Sequence, residues 1–141
     1  MGQITTYTCD KCGNTVELDY GIGKMWHSFD KSMFYPRKED FGLNFYDYFT
    51  EDELKDIHKF IEEEEDVIIS EAYMQPYICN KCGKIESKLY FKMQGKNKTY
   101  KLRYTCECGG SCRKFTNKDL ENLKCNKCGG KMFETEEIMW D

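Results

Sequence analysis

The chain has 141 residues, a formal net charge of −4, nine cysteines and two histidines. This length predicts one domain or two very small ones, and the apolar runs are far too short to span a bilayer. The charge is uneven: residues 1–76 hold 7 Lys/Arg and 17 Asp/Glu, whereas residues 77–141 hold 14 Lys/Arg and 8 Asp/Glu. Contact with nucleic acid, if any, is therefore expected in the C-terminal part.

The N-terminal part predicts a cysteine turn followed by a strand and then an unusual insertion. Residues 1–6 have neither a basic start nor an apolar core, so we expect no secretory signal. Residues 7–20 read as a Cys-x-x-Cys turn running into a strand. Residues 21–73 are acidic and rich in aromatic side chains, and we expect these rings to form a core or a protein-contact surface.

The insertion predicts one main helix, over residues 50–61. Thr50 and Glu53 match a capping box, and Leu54, Ile57 and Ile61 form an apolar stripe at helical spacing. The five acids from Glu62 to Asp66 oppose the helix dipole, so the helix is expected to fray or stop there. They are read as a solvated helix end rather than a cation site. Residues 67–69 then predict a short strand.

The C-terminal part predicts further strands around three cysteine turns. Residues 77–93 repeat the Tyr-x-Cys-x-Lys-Cys-Gly turn of residues 7–13 and continue as a strand. Residues 94–98 predict a turn, and the alternation over 100–104 predicts another strand. Thr116 and Asp119 resemble an N-terminal cap, which predicts a short helix over 116–123. The segment 132–140 closes the chain.

Eight cysteines form four close pairs, each followed at once by a glycine. The pairs are Cys9/Cys12, Cys79/Cys82, Cys106/Cys108 and Cys125/Cys128. Two thiolates on one tight turn reach the same tetrahedral ion, and a glycine after them accepts positive φ. The pattern predicts two structural zinc ions, each held by four sulfurs, with rubredoxin-like iron or an iron–sulfur cluster as the alternatives. Free thiols at this density also predict a reducing compartment, the cytoplasm.

The spacing leaves the pairing of the four turns open. We expect the sequential pairing, which gives one site of Cys9, Cys12, Cys79 and Cys82 and one of Cys106, Cys108, Cys125 and Cys128. A nested pairing and a cross-braced pairing are the alternatives. Cys112 is the spare cysteine; we expect it to be a free thiol near the metal, although it is a possible substitute for Cys106. His27 and His58 are not expected to be ligands, and His58 is expected on the surface.

The cysteine turns resemble those of the zinc-ribbon superfamily, with rubredoxin-like Cys-x-x-Cys-Gly knuckles at residues 7–20, 77–93 and 104–133. The layout is also similar to that of small bacterial zinc-ribbon proteins. The chain differs from the zinc-ribbon pattern at Cys106-Glu107-Cys108 and at the long insertion. It implies metal binding and a fold but no specific activity, because zinc ribbons serve transcription, translation and many partner-binding roles.

We therefore predict a small, zinc-stabilised α+β fold that is rich in β-structure. Ribbon 1 would span residues 1–98, with knuckles 9–12 and 79–82 around the insertion 21–73. Ribbon 2 would span residues 99–141, with knuckles 106–108 and 125–128.

The predicted function is that of a structural zinc-binding adaptor that contacts a protein partner. The alternative is weakly sequence-specific nucleic-acid binding through the basic segment 81–131. Its candidate contacts are Lys92, Lys101, Arg103, Arg113 and Lys114. The sequence contains no nucleophile–base arrangement and no phosphate loop, so we expect no enzymatic activity and no small-molecule substrate.

Overall fold

The computed structural model describes residues 2–21, 31–36 and 45–140, and these form a β-rich protein with few helices. The helices are α1 (Glu51–Glu63) and α2 (Asn117–Glu121), and 3-10 turns span Lys31–Phe34 and Phe45–Tyr48. The strands are β1 (Gly2–Cys9), β2 (Thr15–Gly21), β3 (Ile68–Cys79), β4 (Ile85–Gln94), β5 (Tyr104–Thr105), β6 (Ser111–Lys114) and β7 (Met132–Trp140). None of the helices in these described ranges is long and apolar enough to cross a membrane.

The strands pair in the order β5-β6-β3-β2-β1-β7, and β4 pairs with β3. β1 and β2 form a hairpin whose turn is the first cysteine pair, and β3 and β4 surround the second pair in the same way. β7 pairs with β1 over its whole length, from Gly2 opposite Trp140 to Cys9 opposite Met132, with an irregularity between Thr6 and Tyr7. The C-terminal strand therefore lies against the N-terminal one.

The chain divides into two compact units. The cysteine unit comprises Met1–Ile22, Met74–Lys88 and Arg103–Asp141, and the aromatic unit comprises Gly23–Tyr73 and Leu89–Leu102. The aromatic unit is close to the predicted insertion 21–73, with the addition of residues 89–102. The cysteine unit takes residues from both predicted ribbons, so neither unit follows a boundary at residue 98.

The aromatic unit is built on a core of phenylalanine rings and the apolar face of α1. Phe34 and Phe45 are fully buried, with ring centroids 5.4 Å apart, and Phe91 of β4 packs on Phe34 at 4.9 Å. The helical stripe Leu54, Ile57 and Ile61 is buried, as its spacing predicted. These rings are therefore core rather than an exposed stacking surface. Trp26, Phe29 and Phe41 of the aromatic stretch lie outside the described residues.

α1 begins and ends where its sequence signals predicted. Thr50 and Glu53 form the reciprocal capping box, and the helix ends at Glu63. The next residue, Glu64, accepts hydrogen bonds from the backbone N–H groups of Asn97 and Lys98 in the turn after β4. The acidic helix end is thus fixed to a turn and is not simply solvated.

Two expectations that involve residues of the aromatic unit are wrong. The strand predicted over 100–104 is reduced to Tyr104–Thr105, because the Tyr100 ring packs on Phe60 at 5.3 Å and its hydroxyl donates to Asp56 at 2.8 Å. His58 is not a surface residue but half-buried. Its ring stacks on Tyr35 at 4.1 Å, and its Nε2 lies 2.6 Å from the carbonyl oxygen of Phe34.

Candidate metal centres

The cysteine unit brings the eight paired cysteines into two tetrads. One consists of Cys9, Cys12, Cys125 and Cys128, and the other of Cys79, Cys82, Cys106 and Cys108, with all sulfurs of a tetrad within 4.8 Å of one another. This is the nested arrangement, so the sequential pairing expected from the spacing is wrong. The reason is the antiparallel pairing of β7 with β1, which carries the last knuckle back to the first.

The sulfur spacing in each tetrad suits a tetrahedral metal. The close sulfur pairs are 3.4 Å for Cys9–Cys128, 3.5 Å for Cys12–Cys125, 3.5 Å for Cys79–Cys108 and 3.6 Å for Cys82–Cys106. A tetrahedron with zinc–sulfur bonds of about 2.3 Å has edges of about 3.8 Å. A disulfide would need about 2.05 Å. The tetrads therefore fit a single metal ion and are not disulfides.

Backbone amides point at the sulfurs, as in a knuckle that stabilises thiolates. The N–H groups of Lys11 and Lys81 lie 3.4 Å from the sulfurs of Cys9 and Cys79. The Cys82 N–H lies 3.5 Å from the Cys79 sulfur. This turn requires left-handed backbone at the residue after each pair, and all four glycines there have φ between 73° and 88°. The role predicted for these glycines is confirmed.

A second glycine in the two C-terminal knuckles permits the close approach of the turns that meet. A Cβ at Gly110 would lie 2.7 Å from the sulfur of Cys79, and a Cβ at Gly130 would lie 2.8 Å from the sulfur of Cys9. Each Gly-Gly knuckle thus packs its second glycine under the first cysteine of a knuckle that has only one glycine. In the sequence, this feature argues against the sequential pairing, which would join the two Gly-Gly knuckles, and it leaves the other two pairings open. The expectation that the similar knuckles 9–12 and 79–82 share a site overlooked it.

The hydrogen bonds give the thiols of one tetrad different pKa values. The Cys82 N–H, followed by that of Lys81, outweighs burial and lowers the pKa of Cys79 to about 6. Burial raises the pKa of Cys125, but the N–H groups of Cys128 and Lys127 outweigh it and lower that pKa to about 6. Each tetrad therefore holds a readily ionised thiol, and a cation is the natural counterpart of several thiolates in one place.

The second cysteines of two knuckles have raised rather than lowered pKa values. The Lys84 N–H lowers the pKa of Cys82, but the neighbouring sulfurs of Cys108 and Cys106 outweigh it and raise this pKa to about 12. The pKa of Cys128 is likewise raised to about 12. Without a metal, four sulfurs this close keep protons between them. Full ionisation of a tetrad therefore depends on a bound cation.

The two tetrads are structural repeats of one another. Cys9 of β1 pairs with Met132 of β7, and Cys79 of β3 pairs with Cys112 of β6. The amide after the first cysteine donates in both: Asp10 to the Lys131 carbonyl at 3.2 Å, and Asn80 to the Ser111 carbonyl at 2.9 Å.

The structural repeat explains the role of the spare cysteine, Cys112. Cys112 stands where the other repeat has Met132, which is buried against Cys9 and Cys125. It is a half-buried packing residue outside the tetrad, and burial followed by the nearby Cys79 and Cys106 sulfurs raises its pKa. Cys106, not Cys112, is therefore the tetrad member, as the glycine after Cys108 indicated.

The residues named for nucleic-acid contact are divided between the two units. Lys92 and Lys101 belong to the aromatic unit, whereas Arg103, Arg113 and Lys114 belong to the cysteine unit. Arg113 forms two hydrogen bonds of 2.7 Å with the carboxylate of Asp119 at the start of α2. That pair holds the pKa of Asp119 well below its usual range, with help from Thr116. His27 lies outside the described residues.

A basic cavity lies beside the knuckles. It has a volume of about 230 Å³, and three lysines line it together with Glu17, Asn14 and Asn126. The lysines are Lys84, Lys124 and Lys127. Lys84 is paired with Glu86 at 2.7 Å, whereas within the described ranges no carboxylate forms an ion pair with Lys124 or Lys127. The cavity therefore offers an anion two ammonium groups without an ion pair, although the carboxylate of Glu17 also lines it.

Comparisons with known proteins found no match to this chain. No family model matches the chain, and neither the curated proteins nor the solved structures contain a significant match. The class of the protein therefore rests on the tetrads: it is a β-rich protein with two cysteine clusters suited to metal, consistent with zinc-ribbon-like modules.

Proposed function

We propose that this chain is a structural zinc protein of the cytoplasm that binds two Zn²⁺ ions and presents a folded surface to a protein partner. The observation that carries the proposal is the pair of closed tetrads, in which four sulfurs take every position of a tetrahedral ion. Catalytic zinc keeps one position open for water or substrate, so these centres support a role in folding rather than in a reaction.

We favour zinc over iron because of how often each ion occupies sites of this form. Each site is a mononuclear tetrad built from two tight knuckles, and zinc is the commonest ion of such closed sites. The compartment follows from the chemistry of the thiols, which must stay reduced in order to bind. A structural role also fits the packing around the first tetrad, where buried Cys9, Cys125 and Met132 pack with Tyr7 and Val16. Two of the three buried residues in this cluster are tetrad cysteines, so a bound metal would stabilise the cluster directly.

Metal analysis of the purified chain tests the proposal. We expect two zinc ions per chain by elemental analysis, each with four sulfur neighbours at about 2.3 Å by X-ray absorption. Iron in place of zinc, one ion per chain, or oxygen or nitrogen neighbours would contradict it. Capture of a defined protein from native lysate by the zinc-loaded chain, but not by the chelated chain, is the expected result for the adaptor role.

The basic cavity supports a second candidate function, the binding of a nucleic-acid phosphate. Charge weighs against it. Eight thiolates and two Zn²⁺ ions add a net −4 to the formal −4, so the loaded chain carries −8. Arg113 is also already engaged by Asp119. We therefore place this function second.

A salt titration separates the two functions. Phosphate contacts release counterions, so nucleic-acid binding would weaken steeply as salt rises. Under the second function, Lys124→Glu with Lys127→Glu would abolish binding to single-stranded DNA, whereas the matched change Lys55→Glu with Lys59→Glu on α1 would not. Under the first function, the unmodified chain shows no salt-sensitive binding.

A further inference from the structure

The C-terminal strand β7 leaves one edge of the sheet open. It stands at the end of the strand order, and its pairing with β1 uses one of its two edges from Met132 to Trp140. Within the described ranges, no strand pairs with the other edge. A nine-residue edge of unpaired N–H and C=O groups is a template for a strand from another chain.

Both faces of β7 are exposed from Phe133 to Met139. Its large apolar side chains Phe133, Ile138 and Met139 are 45%, 46% and 58% exposed. The register places Phe133 and Ile138 on one face, opposite Thr8 and Ile4, and Met139 on the other, opposite Gln3. The strand thus offers apolar contacts near both of its ends and on both faces.

The centre of the strand is acidic. Glu134, Glu136 and Glu137 are all exposed, and they lie between Phe133 and Ile138. Antiparallel pairing of the whole strand with a second copy would place Glu136 opposite itself and bring six carboxylates into one short ladder. Like charges opposite one another destabilise a strand pair, so a second copy is disfavoured. A strand with lysines at its centre and aliphatic residues at its ends complements β7 in both charge and apolarity.

We infer that the open edge of β7 binds an extended, basic segment of a partner protein by strand addition. The inference rests on the proposed adaptor function and names the class of partner. The central acids serve two purposes: they keep β7 from pairing with its own copies, and they select lysine-rich segments.

A synthetic peptide tests the inference on the zinc-loaded, full-length chain. The probe is acetyl-Val-Val-Lys-Lys-Thr-Lys-Val-amide, which places lysines opposite the three glutamates in an antiparallel pair. Two isomers carry N-methyl groups on alternate amides. In a strand, alternate N–H groups face opposite edges, so one isomer loses the bonds to β7 and the other keeps them.

The expected result is that the parent and one isomer bind with similar affinity, while the other isomer binds at least tenfold more weakly. Hydrogen exchange should slow at the outward amides of β7. Glu136→Lys should weaken binding at least tenfold, and Glu63→Lys, an equal change of charge on α1, should not. If Glu136→Lys lowers the zinc content, Glu136→Gln provides the same comparison with a smaller loss.

Three results would overturn the inference. Equal binding of both isomers would mean attraction by charge alone, and no binding at millimolar peptide would mean that the edge is closed to partners. A dimer with protected β7 amides in the absence of peptide would assign the edge to a second copy. All three leave the proposed function standing when two zinc ions are present, whereas absence of zinc defeats the proposed function itself.

Discussion

At the scale of single residues, the nested pairing makes a prediction that the sequential pairing reverses. The double variant Cys12→Ser with Cys125→Ser removes ligands from one tetrad only, so it should retain one zinc ion per chain. Cys12→Ser with Cys82→Ser damages both tetrads and should lose both ions. Elemental analysis of the two purified variants decides the matter. One retained ion in the second variant and none in the first would restore the sequential pairing.

The spare cysteine provides a further test at this scale. Cys112→Ser should keep both ions, because its counterpart in the other repeat is Met132 and not a ligand. Cys106→Ser should lose one ion. The expected cost of Cys112→Ser is a small loss of thermal stability from placing a hydroxyl in a half-buried, apolar position. Loss of zinc from Cys112→Ser, with Cys106→Ser unaffected, would exchange the roles of the two residues.

Gly110 makes the third prediction, because a methyl group there would lie 2.7 Å from the Cys79 sulfur and 2.6 Å from the Cβ of Lys81. Real Cβ atoms do not approach so closely, so Gly110→Ala must displace the knuckle. We expect at least tenfold weaker zinc affinity at the second tetrad and no change at the first, measured by competition with a chromophoric chelator. Thr105→Ala, at an exposed neighbouring strand position, is the control. Equal affinities in both variants would contradict the packing of Gly110.

At the scale of elements, the contact of Glu64 explains how the acidic helix end is held. Its carboxylate accepts from the Asn97 and Lys98 amides, and Glu65 pairs with Lys96 at 3.7 Å. A side chain at Gly95 would overlap Glu64, so a residue without a side chain is needed there. The turn after β4 and the acidic end of α1 therefore stabilise one another.

Removal of that carboxylate should loosen the aromatic unit. Glu64→Ala loses both charge-assisted hydrogen bonds, which together are worth about 1–2 kcal/mol of the free energy of unfolding. Glu63→Ala, at an exposed neighbouring position without these bonds, should cost much less. Urea denaturation of the zinc-loaded chain followed by helical circular dichroism gives both values. Equal destabilisation by the two variants would show that the contact contributes nothing.

The sequence predicted elements well where the signal was local. Both capping boxes, at Thr50 and Thr116, stand where they were expected, because capping depends on residues three positions apart. The strand over 100–104 failed for the opposite reason. Its alternation is genuine, but Tyr100 gains more from the Asp56 hydrogen bond and the Phe60 and Phe91 rings. Tertiary contacts of that kind have no short-range signature.

At the scale of the whole molecule, the sequence predicted the ligands but not their partition. The eight cysteines are marked by local spacing. Which knuckles meet depends on β7 returning to β1 from the other end of the chain, a contact that spacing does not encode. The second glycine of the two C-terminal knuckles carried part of that information: it permits a cysteine of another knuckle to approach closely, which argues against a site made of the two Gly-Gly knuckles.

The division into two units predicts an unequal response to loss of metal. The buried core of the cysteine unit includes the tetrad cysteines Cys9, Cys79 and Cys125, whereas the aromatic unit buries Phe34, Phe45 and Phe91 against α1 and contains no cysteine. A strong chelator should therefore abolish hydrogen-exchange protection in β1 and β7 first. The amides of α1 should stay protected to a larger degree, because their core contains no metal ligand.

Hydrogen exchange of backbone amides, followed by NMR before and after chelation, measures the protection of both units in one sample. Zinc added back should restore β1 and β7, which separates loss of metal from irreversible oxidation of the thiols. Simultaneous loss of protection in α1 and β1 would mean that the aromatic rings are not a self-sufficient core. The metal would then stabilise the entire chain, because β3 and β4 each contribute residues to both units.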